Sequence, residues 1–129
     1  MNIMLVGAGA VTAGLVQKFM EQGHTIAAML GQLTPSQLEI HNYSGVVVVS
    51  PETTTSTETL TKAAELGKLI YVIAGASDSI SGWAATTRVP TFAYPPSETN
   101  VDNLLTELRR GDAGTARVDD QYRRVVLGG

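Results

Sequence analysis

Hydrophobic and polar positions follow two patterns along the chain: short β-branched runs and longer segments of helical spacing. The apolar runs, which we predict to be strands, are residues 2–6, 25–30, 45–49, 69–74 and 91–94. The third run is apolar at nearly every position, as expected of a central strand that is covered on both faces. The pattern predicts an α/β fold, a three-layer, doubly wound parallel sheet of about five strands.

The segments between these runs carry helical signals of unequal strength. Residues 11–22 place apolar side chains at helical spacing, and Gly23 stands where a left-handed C-cap is expected. Residues 78–88 predict a shorter helix. The connection at 31–44 is weakly patterned, and it predicts a loop with about one helical turn at 35–40.

Two more helices are predicted from their capping residues. The helix before the fourth strand starts within a run of Thr and Ser, where Thr55 and Glu58 have the spacing of a capping box. The last helix is predicted to follow Ser97, a good N-cap, and to end at Arg110, with Gly111 closing it.

Length and hydrophobicity indicate one domain with an extension. The chain has 129 residues, of which 43% are hydrophobic, and this suits a single core. We expect the domain to cover 1–112 and a C-terminal extension to cover 113–129, as an additional strand, a hairpin or an arm. The apolar end of the extension, at 125–127, predicts packing on the sheet or across the interface of a homodimer.

Composition argues against several classes of function. The formal charge of −3 and the pI of about 5.2 provide no basic surface for nucleic acid. The absence of cysteine excludes disulfides and thiolate metal sites, and it favours a cytoplasmic location. No apolar run approaches the roughly 20 residues of a membrane span, so no membrane association is expected. We expect no metal site, since neither histidine has ligand spacing to a partner.

A glycine-rich turn lies between the first strand and the first helix. Gly7 permits a tight turn, and Gly9 lets a pyrophosphate approach the backbone because no Cβ intervenes. The free N–H groups of the first helical turn then face the negative charge. The predicted pyrophosphate contacts are the consecutive residues Gly7, Ala8, Gly9, Ala10, Val11 and Thr12.

This start resembles the N-terminal NAD(P)-binding domain of ketopantoate-reductase and 6-phosphogluconate-dehydrogenase-like proteins. The resemblance rests on the strand, on Gly7 and Gly9, and on Gln22-Gly23-His24 at the end of the helix. It covers residues 1–30 closely, and the later alternation of strands and helices in outline. It implies a Rossmann-like dinucleotide-binding domain that takes NAD or NADP and, in an enzyme, serves an NAD(P)-dependent oxidoreductase.

Two positions depart from the dinucleotide pattern. Thr12 stands where Gly-x-Gly-x-x-Gly has its third glycine, although Gly14 supplies a small residue nearby. At the end of the second strand, Leu30-Gly31-Gln32 contains no carboxylate for the ribose hydroxyls and no arginine for a 2′-phosphate. The choice between NAD and NADP therefore stays open.

Other candidate residues follow the carboxyl ends of the strands, where parallel sheets bind ligands. We expect any site to be formed by the loops at 7–11, 30–32, 50–52, 74–78 and 94–96. The candidate residues in the later loops are Gln32, Ser50, Pro51 and Gly75. Ser-Pro-Glu at 50–52 is also a helix-start signal, and for Ser50, as for Asp78, capping is the favoured interpretation.

The remaining polar residues define no reaction. His24 is expected to be an exposed turn residue and His41 a structural one, and no catalytic set is visible. A flavodoxin-like or receiver domain is disfavoured, because Ser50 stands where a receiver has its phosphoacceptor Asp.

Two functions remain open. One is a stand-alone NAD(P)-binding domain, as a fragment or subunit of an oxidoreductase. The other is a non-catalytic scaffold or regulatory module that acts through oligomerisation or a protein partner. The missing ribose carboxylate favours the second, the glycine turn favours the first, and enzymatic activity itself is undecided.

Overall fold

The computed structural model describes residues 1–113 with their side chains and the backbone of residues 114–127. All five predicted strands form, and they pair in parallel in the order β2-β1-β3-β4-β5. Four of them have the predicted bounds, and β5 is one residue shorter. The strands are β1 (Asn2–Val6), β2 (Thr25–Leu30), β3 (Gly45–Val49), β4 (Leu69–Ala74) and β5 (Thr91–Ala93).

Four α-helices cover the two faces of the sheet. They are α1 (Ala10–Glu21), α2 (Thr57–Glu65), α3 (Ser79–Thr87) and α4 (Glu98–Leu127). Helices α1 and α4 pack on one face, and α2 and α3 pack on the other, so the predicted three-layer, doubly wound α/β fold is confirmed.

Alternate side chains of the strands supply a separate core on each face, as the period of a strand requires. The core under α1 and α4 contains Ile3, Leu5, Leu15, Phe19, Val47, Val49, Tyr71, Ile73, Val101, Leu104, Leu105 and Leu108. The opposite core contains Met4, Val6, Leu33, Leu38, Tyr43, Val46, Val48, Leu60, Ala63, Ile70, Val72, Ala74, Ile80 and Ala84. Because β1, β3 and β4 contribute to both lists, the two cores share the centre of the sheet.

The chain reverses its direction of winding between β1 and β3. From β1 it moves outward to β2, and from β3 it moves outward in the other direction to β4 and β5. Val6 pairs with Leu30 on one side and with Val48 on the other, so the carboxyl ends of three strands lie side by side. Such a switch point is where open α/β sheets bind ligands.

The connection between β2 and β3 contains no α-helix. Only Pro35–Gln37 forms a short 3₁₀ turn, inside the span predicted for one helical turn. The connection covers the sheet instead with the buried side chains of Leu33, Leu38 and Tyr43. The Tyr43 hydroxyl donates to the Leu38 carbonyl over 2.6 Å, and this bond ties the loop to itself.

The cap predicted for α2 was wrong by one residue. Ser56 is the N-cap, and its hydroxyl accepts from the Thr59 amide over 3.2 Å. Thr55 is buried, and its hydroxyl accepts from the Leu33 amide over 2.9 Å. Thr55 therefore joins two loops of the protein, a role that its spacing to Glu58 does not reveal.

Helix α4 continues past the predicted stop at Arg110. Gly111 does not adopt the left-handed conformation of a C-cap, and a Cβ there would meet Tyr71 and Leu69. The glycine thus permits close contact between helix and sheet. Over 114–127 the backbone continues the helix, and no additional strand forms in the described part of the chain. A dimer contact at 125–127 lies outside the residues with described side chains.

Candidate functional site

The glycine turn joins β1 to α1 at the switch point. Gly7 has a φ of +152°, in the range that favours glycine, and its amide donates to the Leu30 carbonyl over 2.8 Å. Gly9 is the N-cap of α1 and provides no side-chain cap. The first helical turn therefore directs its free N–H groups to the edge of the sheet where β1, β2 and β3 end.

A carboxylate of the chain itself occupies this helix terminus. One oxygen of Glu52, Oε2, accepts from the Val11 amide over 3.1 Å. The other oxygen, Oε1, accepts from the Thr12 amide over 3.0 Å and from the Thr12 hydroxyl over 2.8 Å. The hydroxyl of Tyr94 completes the set by donating to Oε2 over 2.8 Å. Each carboxylate oxygen thus has two donors.

These bonds keep Glu52 ionised. Burial opposes ionisation of the carboxyl group, but donation from Thr12, Tyr94 and Val11 outweighs burial and holds the Glu52 pKa below its usual range. The same contact raises the pKa of the Tyr94 hydroxyl, because its proton is shared with the carboxylate. The site therefore holds a full negative charge where a dinucleotide would place its pyrophosphate.

Both glycines are also required by contacts inside the protein. A Cβ at Gly9 would collide with the Glu52 carboxylate, and a Cβ at Gly7 would collide with the Thr12 side chain. Gly14, in contrast, has open space where its Cβ would lie. The glycine spacing that predicts a nucleotide is therefore explained equally well by the internal Glu52 contact.

A cleft of about 710 Å³ opens beside Glu52, outside the ends of β1, β2 and β3. One wall follows β2 and the other follows β3, and the Thr53 hydroxyl joins them by donating to the Gly31 carbonyl over 2.7 Å. The lining residues are Ala8, Gly9, Gly31, Gln32, Pro51, Glu52, Thr53 and Thr54. Of the predicted site residues, the cleft brings together Ala8, Gly9, Gln32 and Pro51.

Ser50 faces a different cleft, of about 490 Å³, between β3 and the start of α3. Its buried hydroxyl donates to Asp78 Oδ2 over 2.6 Å. Asp78 is the N-cap of α3, with Oδ1 accepting from the Ile80 amide over 2.9 Å, and this confirms its capping role. The expectation that Ser50 caps a helix was wrong, because residues 50–52 form only a 3₁₀ turn without a side-chain cap.

Gly75 lies in the turn between β4 and α3. Its carbonyl accepts from the Asp78 amide over 3.1 Å, so it shapes the start of that helix. It does not line the cleft beside Glu52.

His24 is buried, and the expectation of an exposed turn residue was wrong. It lies at the opposite edge of the sheet, with only 6% of its surface exposed. Its Nδ1 is 3.0 Å from the N-terminal ammonium of Met1, which also pairs with Asp112 at 3.3 Å. The long helix α4 brings Asp112 over this corner, and no local pattern around His24 predicts that cover.

Sequence reasoning places the loops that contain Glu52 and Tyr94 at the ligand edge of the sheet, but it singles out neither side chain. The pattern at 50–52 favours a first-turn helix acid for Glu52, and Tyr94 is predicted to end the fifth strand. The strand order explains the position of Glu52: β3 lies next to β1, so the residues that follow β3 lie beside the glycine turn. The signal for Tyr94 is weaker, because Tyr94 follows β5, which is separated from β1 by β3 and β4.

Fold and site together define a Rossmann-like α/β domain with an oxyanion-binding helix terminus at its switch point. No protein-family model matches the chain, and a search of curated proteins finds no match. Within the described residues, no helix is both long and apolar enough to cross a membrane.

Proposed function

We propose that the chain is an NAD(P)-binding domain whose ligand lies at the switch point. The pyrophosphate takes the place of the Glu52 carboxylate on the amides of Val11 and Thr12. The adenosine lies in the 710 Å³ cleft between Gly31-Gln32 and Thr53-Thr54. This position is the one that open α/β sheets use for nucleotides.

One observation carries the proposal: the donors at the start of α1 already hold an oxyanion. Two amides and a hydroxyl donate to the carboxylate at 2.8–3.1 Å, within the ordinary range of hydrogen bonds. A phosphate oxygen has the same charge and accepts the same donors. The residues present therefore fit a phosphate group once Glu52 has left.

The adenosine end of the site is less specific. The cleft offers the side chains of Gln32 and Thr54 to a ribose, and among its described lining residues Glu52 is the only charged one. An amide and a hydroxyl hydrogen-bond ribose hydroxyls without distinguishing strongly between a 2′-hydroxyl and a 2′-phosphate. We accordingly propose either NAD or NADP as the ligand.

The proposed function is limited to binding the dinucleotide and includes no catalytic step. A nicotinamide cofactor supplies hydride chemistry when it is bound. The described residues of this chain hold the cofactor's phosphates, and the substrate side of a reaction would come from a further domain or subunit of an oxidoreductase.

Isothermal titration calorimetry with NAD⁺, NADH, NADP⁺ and NADPH tests the proposal. We expect micromolar binding of at least one dinucleotide, lost in Gly9→Ala, because the added Cβ occupies the space beside the oxyanion. The matched control is Gly14→Ala in the same helix, where the Cβ meets nothing, and it should bind as the wild type does. Equal loss in both variants would contradict the proposed site.

The same carboxylate favours a second candidate, a non-catalytic Rossmann-like module. If Glu52 fills the helix terminus permanently, the domain retains the fold and acts through a protein partner or oligomer. No heat with any of the four dinucleotides, from a protein that is folded by circular dichroism, would favour this candidate.

A further inference from the structure

We propose that Glu52 competes with the phosphate of the ligand for one set of donors, and that Tyr94 donates to whichever of the two is bound. Glu52 would then set the affinity of the site, and Tyr94 would be an additional ligand-binding residue. This inference rests on the proposed function. It adds Glu52 as the side chain that closes the site, and Tyr94 as a donor to both Glu52 and the ligand.

The competition follows from the hydrogen bonds. The amides of Val11 and Thr12 donate to Glu52 at 3.1 and 3.0 Å, and a helix terminus has no second set of N–H groups at this point. Glu52 and a phosphate are both anions, so they repel each other as well as sharing donors. The two cannot occupy the helix terminus together.

The exchange needs only a movement of the Glu52 side chain. The backbone around Glu52 is fixed, because its carbonyl accepts from the Ala8 amide over 2.9 Å. The next residue, Thr53, is tied to the Gly31 carbonyl over 2.7 Å. Glu52 already lines the open cleft, so rotation of its side chain frees the donors while both loops stay in place.

Tyr94 reaches the oxyanion position from the residues that follow β5, not from α1. Its hydroxyl and the Val11 amide converge on the same atom, Glu52 Oε2, at 2.8 and 3.1 Å. An oxygen of a phosphate in that place accepts from both groups. Tyr94 therefore extends the oxyanion site beyond the first turn of the helix, to a residue that follows β5.

Occupancy by Glu52 lowers the apparent affinity of the ligand. A protein whose binding-competent state is populated in about one molecule in ten binds about ten times more weakly than one that is always open. Removing the carboxylate abolishes this penalty. Loss of the Tyr94 hydroxyl affects the closed and the ligand-bound states alike, so its effects largely cancel while Glu52 is present.

A double-mutant cycle tests both parts of the inference. We would measure Kd for NAD⁺, NADP⁺ and inorganic pyrophosphate by calorimetry in wild type, Glu52→Ala, Tyr94→Phe and the double variant. Glu52→Ala should lower Kd by about tenfold or more. Tyr94→Phe should change Kd by less than about twofold alone, and raise it about fivefold in the Glu52→Ala background.

Two variants keep the comparison interpretable. Glu58→Ala, at an exposed acid in the first turn of α2, removes the same charge nearby and should leave Kd unchanged. If Glu52→Ala does not fold by circular dichroism, Glu52→Gln retains the length of the side chain and should shift Kd in the same direction.

The possible results separate the inference from the proposed function. Equal dinucleotide affinity in wild type and Glu52→Ala overturns the competition and leaves dinucleotide binding standing. Binding of pyrophosphate but of no dinucleotide, tighter in Glu52→Ala, supports the competition and overturns the dinucleotide. No binding of any probe to any folded variant overturns both. If adding Tyr94→Phe to the Glu52→Ala variant leaves Kd unchanged, Tyr94 is not a ligand-binding residue.

Discussion

The imidazole of His24 is kept neutral by its surroundings. Burial is the largest cause that lowers its pKa, followed by the ammonium of Met1, while Asp112 partly offsets them. Nε2 is buried and has no hydrogen-bond partner among the described residues. Because the Met1 ammonium donates to Nδ1, the neutral ring carries its hydrogen on Nε2, and a second proton on Nδ1 would face that ammonium at 3.0 Å. The Phe19 ring lies edge-on to the imidazole, at 6.3 Å between centroids.

We predict a pH-dependent stability that originates at His24. Because the folded state lowers the pKa from its usual 6.5, the unfolded chain binds more protons as pH falls through this value. The contribution to stability is complete above about pH 6.5 and decreases below it. Urea unfolding at several pH values should show this decrease in the wild type.

Substitution identifies the histidine responsible. His24→Gln should flatten the pH profile between pH 7.5 and 5.5, about one unit on either side of 6.5. His41→Gln removes the other histidine of the chain and should retain the wild-type profile. The reverse pattern would assign the dependence to His41.

At the scale of elements, apolar periodicity predicted strands well and helix ends less well. Each strand is a run of β-branched or aromatic residues bounded by turn residues, and this information is local. Gly23 and Gly67 end helices as glycine usually does, with φ of +83° and +82°. Gly111, like Gly23 and Gly67, stands where the sequence predicts the end of a helix. Its contacts with Tyr71 and Leu69 of β4 instead make it a point of close packing within α4.

We predict opposite effects for two Gly→Ala substitutions in helices. Gly111→Ala should destabilise the protein by about 1–3 kcal/mol, because its Cβ forces the buried Tyr71 and the partly buried Leu69 to move. Gly82→Ala, in α3 with open space for a Cβ, should stabilise it by about 0.5–1 kcal/mol. Chemical denaturation measures both, and a stabilising Gly111→Ala would show that α4 does not approach the sheet as described.

At the scale of the whole molecule, the order of the strands determines which loops meet. The glycine turn was predicted from adjacent residues, because its chemistry lies in one continuous segment. Glu52 was missed because its contact with Thr12 spans 40 residues and depends on β3 lying beside β1. The periodicity of single segments predicts strands and does not predict which strands are neighbours.

The shared central strands predict that the two cores unfold together. Leu104→Ala should remove about 2–5 kcal/mol from the core under α1 and α4. Trp83 packs against the opposite core, yet its fluorescence should report the same shifted midpoint as far-UV circular dichroism. Leu66→Ala, at an exposed leucine, is the control and should change little. Separate midpoints for the two probes would show that each face unfolds independently.

The hydroxyls of Thr53 and Thr55 have a consequence for the speed of binding. They bond the loop after β3 to Gly31 and Leu33, so neither wall of the cleft acts as a lid. In the proposed exchange only the Glu52 side chain moves, so binding needs no closure of a loop or domain, motions that take nanoseconds to milliseconds. The proposed competition would therefore weaken binding without adding the slow step of a closing lid.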